Sequence, residues 1–356
     1  MKTKILYPSL ISAFAKLNRV LKSGDYSGAK FFILVDENTY NHCLPVLIGR
    51  VPALESAEFF EVPVGEEAKS LEVAGQLWSA LLDSGADLNS VIINLGGGCV
   101  SDIGGFVAAG FKGGIRYINV PTTVIGMVDA AFGGKTAVNV GAVKNQVRFF
   151  YQPSVVCICP QFLSSLSEEE LRSGLFEMVK TLLLCDGEAL MRLESAICSN
   201  SLSQEMLMPY IAQCTDFKCQ VTKTDPLDRS VRKMLNLGHT FGHGIEAFML
   251  EQGTPLSHGF AVGVGLACAL YLSVKKLGMR EEVLESYCKM LRCVMDVPRF
   301  TLRDAGRVLE YMRQDKKNRD GLILCVLLQD VGVPVIDVAV SEHEVLDALL
   351  QVSKEA

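Results

Sequence analysis

Strand-like and helix-like segments alternate through the first part of the chain, and this alternation limits the folds that it can adopt. Strand-like runs occur at 31–36 (FFILVD), 91–95 (VIINL) and 115–123 (IRYINVPTT), and the segment 71–86 has helical spacing. The first two runs are continuously apolar, which is typical of strands that are covered on both faces. Strand, helix, strand, glycine turn, helix and strand in this order predict a parallel α/β sheet.

Three glycines, Gly96, Gly97 and Gly98, come directly after the apolar run at 91–95. Parallel sheets bind ligands at the carboxyl ends of their strands. Residues without side chains let backbone N–H groups approach a pyrophosphate at a helix N-terminus. The motif is not GxGxxG, so the alternative interpretation is a tight turn with close helix packing.

The stretch 120–153, VPTTVIGMVDAAFGGKTAVNVGAVKNQVRFFYQP, places isolated polar groups in apolar, Gly-rich sequence. Asp129, Lys135, Lys144 and Asn145 are the clearest cases, and charged groups are costly to bury without partners. We therefore expect them to line a pocket that binds an anion. Lysines that cap a surface loop are the alternative.

The second half is predicted to be mostly helical, and it holds three of the five histidines within twenty residues. His239 and His243 are four apart, on one face of a helix, and His258 follows a Gly/Pro loop. Imidazole nitrogens with one carboxylate suit a divalent cation that keeps a position open for substrate. Glu177 is the candidate carboxylate, although an ion pair with Lys180 is the alternative, and one or two histidines being ordinary core or surface groups is another.

Length and composition indicate an intracellular enzyme of two domains, because 356 residues exceed the size at which single cores stop growing. The net charge of −6 argues against nucleic acid and anionic membrane as partners. Twelve cysteines without a CxxC pair indicate reduced thiols. Pro8 interrupts a start that faintly resembles a signal peptide, so we expect no export. We also expect no membrane span, and we expect close packing of the small-residue-rich helix after His258.

Several motifs agree in order and spacing with one known family along almost the whole chain. They are LGGGCVSDIGGF, RYINVPTT, VDAAFGGKTAVN, VKN, YQP, SGLFEMVK, RKMLNLGHTFGHGIEA, SHGFAVGVGLA and QDKKN. Together they resemble 3-dehydroquinate synthase. The resemblance implies an α/β, Rossmann-like parallel-sheet domain at 1–160 that binds NAD. It also implies an all-α domain at 161–356 that holds Zn²⁺ or Co²⁺ and most substrate contacts.

The resemblance also implies an activity and its setting. The activity is a carbon–oxygen lyase reaction of the shikimate pathway, which leads to aromatic amino acids. It converts 3-deoxy-D-arabino-heptulosonate 7-phosphate to 3-dehydroquinate and phosphate, and NAD acts catalytically. The implied enzyme is cytoplasmic and homodimeric, and its partner is a small phosphorylated molecule.

The resemblance carries three sets of site residues over to this chain. The implied metal ligands are Glu177, His239 and His258. The implied NAD contacts are Asp36, Glu66, Lys69, Gly97, Gly98, Asp102, Thr122, Thr123 and Lys144. The implied catalytic and substrate-contacting residues are Asp129, Lys135, Asn145, Lys180, Lys218, Asp228, Arg232, Asn236, His243 and Lys317, of which Lys317 is favoured over Lys316 as the phosphate contact.

The chain departs from the family pattern at three positions. Gly113 stands in place of a phosphate-binding arginine, with only Lys112 beside it. Asp228 stands where an acid/base glutamate is expected. Phe260 replaces a glutamate close to His258, which removes one candidate partner of that histidine. The alternatives are therefore a related cyclase for another ketose phosphate, a metal-dependent polyol dehydrogenase, and a low-activity or catalytically silent relative.

Overall fold

The structure is a computed structural model that describes residues 3–7, 12–141, 143–313 and 322–355, and the chain divides into two compact units. Unit 1 comprises Met1–Ser167 together with Ile211–Cys219. Unit 2 comprises Glu168–Tyr210 and Gln220–Ala356. Lys316 and Lys317 lie outside the described residues.

Unit 1 is built around a parallel sheet. Its strands are β1 (Lys4–Leu6), β2 (Phe31–Asp36), β3 (Glu58–Val62), β4 (Val91–Gly96), β5 (Arg116–Pro121), β6 (Lys135–Val140), β7 (Val143–Phe150) and β8 (Val155–Cys157). Six of them form one sheet in the order β1-β8-β5-β4-β2-β3, and every pairing in it is parallel. The three strands predicted from sequence are confirmed as β2, β4 and β5. All six residues of β4 are buried, as expected of a strand that is covered on both faces.

The helices of unit 1 follow the strands. They are α1 (Ala13–Leu21), α2 (Glu37–His42), α3 (Leu44–Arg50), α4 (Leu71–Asp83) and α5 (Gly98–Gly110). Helix α4 confirms the helix predicted at 71–86, and the Ser70 hydroxyl caps it by accepting a hydrogen bond from the N–H of Val73. Helix α5 lies so close to β4 that a Cβ atom on Gly104 would collide with the side chain of Asn94.

Strands β1, β3 and β8 are not among the predicted strands, and two further features in the stretch 120–153 are also not predicted from the sequence. Strands β6 and β7 pair as an antiparallel hairpin. They lie in the stretch 120–153, for which the sequence predicts only that polar residues line a pocket. One turn of π-helix covers Gly126–Ala130 and contains Asp129. Single π-helical turns occur frequently at functional sites.

Unit 2 is mainly helical, as predicted. Its elements are α6 (Glu168–Cys185), α7 (Gly187–Cys198), α8 (Gln204–Thr224, of which Ile211–Cys219 belongs to unit 1), α9 (His239–Glu251), α10 (His258–Leu277), α11 (Glu281–Val294), α12 (Leu302–Arg313), β9 (Ile323–Asp330), β10 (Val333–Val340) and α13 (Glu342–Glu355). Strands β9 and β10 form an antiparallel hairpin. The sequence had shown β9 only as an apolar run.

Helix α10 is the core helix of unit 2. A Cβ atom on Gly263 would lie 2.8 Å from the ring of Phe176 on α6, and one on Gly265 would lie 2.7 Å from the backbone nitrogen of Gly242 on α9. The predicted close packing of this helix is therefore confirmed. By length and composition α10 is long and apolar enough to cross a membrane, although no membrane span is predicted from the sequence. In the structure 72% of its most apolar segment is buried, because its neighbours in unit 2 cover it.

Candidate metal centre and dinucleotide-binding residues

One carboxylate and two imidazoles converge in unit 2. Glu177 lies on α6, His239 is the first residue of α9, and His258 is the first residue of α10. Each offers one donor atom, and these three atoms lie within 4.8 Å of one another. Oε1 of Glu177 lies 3.4 Å from Nε2 of His239 and 3.5 Å from Nε2 of His258. Two ligands of a tetrahedral zinc ion are separated by about 3.4 Å when each bond is about 2.1 Å long.

The other ring nitrogen of each histidine has a partner that fixes its proton. Nδ1 of His239 lies 3.1 Å from the carbonyl oxygen of Leu237, and Nδ1 of His258 lies 3.0 Å from Oε2 of Glu246. A carbonyl or a carboxylate accepts hydrogen bonds, so Nδ1 carries the hydrogen in each contact. In the neutral ring, the lone pair on Nε2 is then available to a metal ion.

Glu177 is 1% exposed, and neither of its oxygens accepts a hydrogen bond of good geometry from the described residues. Nζ of Lys180 nevertheless lies 2.6 Å from Oε2. Our two interpretations of Glu177 are therefore compatible, because Oε2 contacts the lysine and Oε1 faces the histidines. A buried carboxylate oxygen without a hydrogen-bond donor, beside two imidazole nitrogens, is a donor set that fits a zinc or cobalt ion.

The charges around this cluster shift the pKa values of its members. Burial acts to raise the pKa of Glu177, but Lys180 and the two histidines hold it well below its usual value. Burial lowers the pKa of His239 well below its usual value. Burial also opposes charge on His258, yet the contacts with Glu177 and Glu246 raise the pKa of this histidine to about 9. The carboxylates of this cluster therefore favour a positive charge at Nε2 of His258, which either a proton or a metal ion can supply.

The third histidine lies beside the other two. The ring of His243 is centred 5.5 Å from the ring of His239 and 5.9 Å from the ring of His258. It is one turn after His239 on α9, but it does not belong to the group of three converging donor atoms. The three histidines therefore lie close together, but only His239 and His258 direct a nitrogen at the candidate metal position.

A loop of unit 2 carries further predicted residues, and Asp225 organises it. The carboxylate of Asp225 accepts hydrogen bonds from the backbone N–H groups of Arg229, Ser230 and Arg232, at 3.0, 2.7 and 3.2 Å. Arg232 is 2% exposed, and Asp228 has a positive φ of 57°. Sequence reasoning missed Asp225, although an aspartate directly before a proline is a known turn signal.

The remaining predicted residue of this region, Asn236, lies at the end of the 3₁₀ segment Val231–Asn236. Its side-chain amide donates to the carbonyl of Lys233 at 2.9 Å.

In unit 1, the π-helical turn binds a residue from far along the chain. The ammonium group of Lys218, on α8, contacts the carboxylate and the carbonyl of Asp129. Thr215, one turn earlier on α8, donates to the carbonyl of Met127 at 3.0 Å. Lys135 lies at the start of β6.

Several of the predicted dinucleotide residues lie at the carboxyl ends of the parallel strands. Asp36 ends β2, the glycine turn follows β4, and Thr122 and Thr123 follow β5. Gly97 is the N-cap of α5, so the first N–H groups of this helix are not covered by a side chain at that position. The alternative interpretation also has support, because a Cβ on Gly96 would lie 2.6 Å from Cβ of Val100.

The polar members of this set already have partners in unit 1. Asp36 caps α2 through Thr39, and Thr123 accepts from the N–H of Gly126 at 3.0 Å. Nζ of Lys69 lies 2.7 Å from Oδ2 of Asp102, and burial acts to raise the pKa of this aspartate. Nζ of Lys144 lies 3.9 Å from Oε1 of Glu66.

Asn139 joins residues of the two predicted sets, and our sequence reasoning missed it. Its side chain donates to Glu66 at 2.8 Å and accepts from the N–H of Asn145 at 2.8 Å. Its own N–H donates to the carbonyl of Lys69 at 2.7 Å. Asn145 has a positive φ of 54°, and its buried Oδ1 has no hydrogen-bond donor among the described residues.

Gly113, which stands in place of the arginine that the resemblance implies, lies in a turn of three residues with left-handed backbone conformation. Lys112, Gly113 and Gly114 all have positive φ, at 49°, 83° and 114°. The ammonium group of Lys112 donates to the carbonyl of Ala86 at 2.8 Å, so this neighbouring cation is already engaged within unit 1.

Comparison with solved structures shows which proteins share this fold. A 2-epi-5-epi-valiolone synthase from Streptomyces hygroscopicus, with NAD⁺ and Zn²⁺ bound, has a TM-score of 0.84 at 23% identity, covering 100% of this chain and 98% of that one. A 2-deoxy-scyllo-inosose synthase, complexed with carbaglucose-6-phosphate, NAD⁺ and Co²⁺, has a TM-score of 0.83 at 22% identity, covering 98% and 96%. This chain therefore shares the fold of these two synthases.

Sequence comparison gives the particular family. Models described as 3-dehydroquinate synthase N-terminal and C-terminal match residues 59–173 and 174–318. A 3-dehydroquinate synthase from Parabacteroides distasonis is 37% identical over 320 residues, which cover 90% of each chain. The chain belongs to the 3-dehydroquinate synthase family.

Proposed function

We propose that this chain converts 3-deoxy-D-arabino-heptulosonate 7-phosphate to 3-dehydroquinate and phosphate, with NAD and a divalent metal ion as cofactors. The observation that carries the proposal is the convergence of Glu177, His239 and His258 in a chain of this family. When bound, NAD supplies reversible hydride transfer and the metal supplies Lewis-acid polarisation of a substrate hydroxyl group.

The metal-binding role is assigned to Oε1 of Glu177 and to Nε2 of His239 and His258. Lys180 holds the other carboxylate oxygen of Glu177, which leaves Oε1 directed at the two imidazoles. The position of His243 beside the two other imidazole rings suits a group that accepts or donates a proton at the substrate.

The dinucleotide-binding role is assigned to the carboxyl edge of the sheet in unit 1. The N–H groups at the start of α5 are available to a pyrophosphate, because the helix begins at glycines. The pair of Lys69 and Asp102 and the contact of Asn139 with Glu66 order the neighbouring polar groups. The full set of NAD contacts is proposed as the resemblance implied it.

The substrate carries a carboxylate and a phosphate, so it needs several cations. The cations in the proposed substrate-contacting set are Lys135, Lys180, Lys218 and Arg232. Arg232 is 2% exposed, and a buried guanidinium outside the metal centre is more readily explained by an anionic substrate than by surface solubility. Lys180 is 1% exposed and pairs with Oε2 of Glu177. Asp129, Asn145, Asp228 and Asn236 complete the proposed substrate-contacting set among the described residues. We also propose that the enzyme is a cytoplasmic homodimer.

Gly113 favours a second candidate, a related cyclase that acts on a different ketose phosphate. The chain has no arginine at this position, and Lys112 is bonded to a carbonyl in its own unit. A pocket with a weaker phosphate contact would select a substrate by its other groups.

One assay tests the proposal and separates it from the alternatives. The purified enzyme is given the heptulosonate phosphate with NAD and Zn²⁺, and phosphate, dehydroquinate and NADH are measured. Equal amounts of phosphate and dehydroquinate without net NADH support the proposal. Net NADH from a polyol indicates a dehydrogenase. Product from Gly113→Arg with none from the wild type indicates the other cyclase, and failure to bind NAD or metal indicates a silent relative.

A further inference from the structure

Helix α9 contributes to the candidate metal centre in two ways. Its first residue, His239, is one of the candidate ligands, and Glu246 lies two turns further along the same face. Oε2 of Glu246 lies 3.0 Å from Nδ1 of His258, the first residue of α10. The Glu246 side chain is 19% exposed, so this contact is partly shielded from water.

The two imidazoles differ in how they are oriented. Nδ1 of His239 bonds to a backbone carbonyl, that of Leu237, which is only two residues away. This local contact depends on the backbone rather than on a side chain. The contact of His258 is made with a charged side chain twelve residues earlier. Among the described residues, the orientation of His258 therefore depends on one substitutable group, whereas the orientation of His239 does not.

Phe260, on the same helix as His258, does not supply such a group. Its ring is 8% exposed and meets the ring of Phe176 edge-on, with centroids 6.0 Å apart. Position 260 is thus part of the apolar core of unit 2. The acidic partner of His258 comes from α9.

We propose that Glu246 is a positioning residue of the metal centre, which holds the Nδ1–H form of His258 and aims its Nε2 at the site beside Oε1 of Glu177. The inference rests on the proposed function, because it requires that Glu177, His239 and His258 bind a divalent cation. A carboxylate behind an imidazole increases the electron density of the ligating nitrogen and restricts the rotation of the ring. It also offsets part of the charge that a divalent ion brings into a partly buried site.

The test is a titration of the metal-free full chain with Co²⁺, followed through the visible absorption of the bound ion. The variants are Glu246→Ala, which removes the hydrogen bond and the charge, and Glu246→Gln, which keeps the size and an accepting oxygen. Glu251→Gln is the matched control, because Glu251 ends the same helix and pairs with the exposed Arg307 at 2.6 Å. We expect Glu246→Ala to bind Co²⁺ about 10- to 100-fold more weakly, with an altered absorption spectrum. We expect Glu246→Gln to lie between Glu246→Ala and the wild type, and Glu251→Gln to match the wild type.

Titration with NAD separates positioning from a general loss of structure, since positioning leaves the affinity for NAD unchanged. If Glu246→Ala does not fold, Glu246→Gln decides alone. Binding of Co²⁺ by the Glu246 variants within twofold of the wild type, or an equal loss in Glu251→Gln, overturns the inference while the metal centre stands. Absence of Co²⁺ binding in the wild type overturns the metal centre itself, and with it the proposed function.

Discussion

The ammonium group of Lys180 lies 2.6 Å from Oε2 of Glu177, and the two side chains are 2% and 1% exposed. They are three residues apart on α6, so one face of the helix presents both charges to the interior of unit 2. Removing one partner of a buried pair leaves the other charge uncompensated, which is strongly destabilising. Lys180 therefore compensates the charge of Glu177 in the metal-free protein, and a metal ion bound at Glu177 would supply positive charge at the same carboxylate.

The first prediction concerns Lys180→Met. We expect the metal-free variant to lose about 3–5 kcal/mol of unfolding free energy, because Glu177 keeps its charge in a buried site without its cation. Saturating Zn²⁺ should restore part of this loss, since the metal ion supplies positive charge at the same carboxylate. Thermal unfolding with and without Zn²⁺ measures both effects. Arg192→Met is the control, because its pair with Glu188 is exposed and should contribute less than about 1 kcal/mol. Equal stability of Lys180→Met and the wild type would contradict the prediction.

The second prediction concerns His239→Ala and the removal of metal. Loss of a partner behind a ligand typically costs 10- to 100-fold, so we expect loss of the ligand itself to lower metal affinity and turnover by about 100-fold or more. Treating the wild type with a chelator should abolish turnover, and added Zn²⁺ or Co²⁺ should restore it. His343→Ala is the control, because His343 is exposed on α13. Undiminished turnover in His239→Ala would refute its assignment as a ligand.

The third prediction concerns the pH dependence of stability through Asp225. Hydrogen bonds from backbone N–H groups, that of Arg229 first, lower the pKa of Asp225 from 3.8 to about 2 in the folded chain. A lowered pKa in the folded state means that the contribution to stability is present above about pH 4 and is lost as the pH falls towards 2.

Asp225→Asn tests this prediction. The difference in unfolding free energy between the wild type and Asp225→Asn should be largest near neutral pH and should shrink below about pH 4. Urea unfolding at a series of pH values measures it. Asp296→Asn, at an exposed loop position, is the control. A difference between Asp225→Asn and the wild type that does not change between pH 6 and pH 3 would exclude the carboxylate as its source.

The fourth prediction compares two helical glycines. A Cβ on Gly104 of α5 would overlap the side chain of Asn94, whereas a Cβ on Gly75 of α4 would meet nothing within 4 Å. We expect Gly104→Ala to cost about 1–3 kcal/mol by overpacking, and Gly75→Ala to stabilise by about 0.5–1 kcal/mol through its helix propensity. Chemical denaturation of both variants measures the contrast. Equal effects would show that the contact with Asn94 relaxes without cost.

Three of the six strands of the sheet and the core helix of unit 2 could be predicted because their signals are local. Continuous apolar runs indicate β2 and β4, and the small residues of α10 indicate close packing, since each depends only on neighbours in the sequence. The hairpin of β6 and β7 was missed because polar residues interrupt its apolar ones and glycines flank its strands. Its strands are stabilised by pairing with each other, and the sequence of either strand alone does not show this.

The same distinction holds for the candidate site. The residue types and spacing of His239, His243 and His258 indicated by themselves a helix-borne metal centre, and Glu177 was the best carboxylate among the alternatives. Only the tertiary structure decided that Oε1 of Glu177 faces both candidate ligands while Oε2 contacts Lys180.

The tertiary structure also decided which residues support the site. Lys218 meets Asp129 across 89 positions of sequence, and Glu246 meets His258 across twelve. Side-chain chemistry and helical periodicity are properties of the chain itself, so the sequence alone determines the elements and the chemical types. A contact between distant residues depends on how packed elements place two side chains, and no local pattern records it.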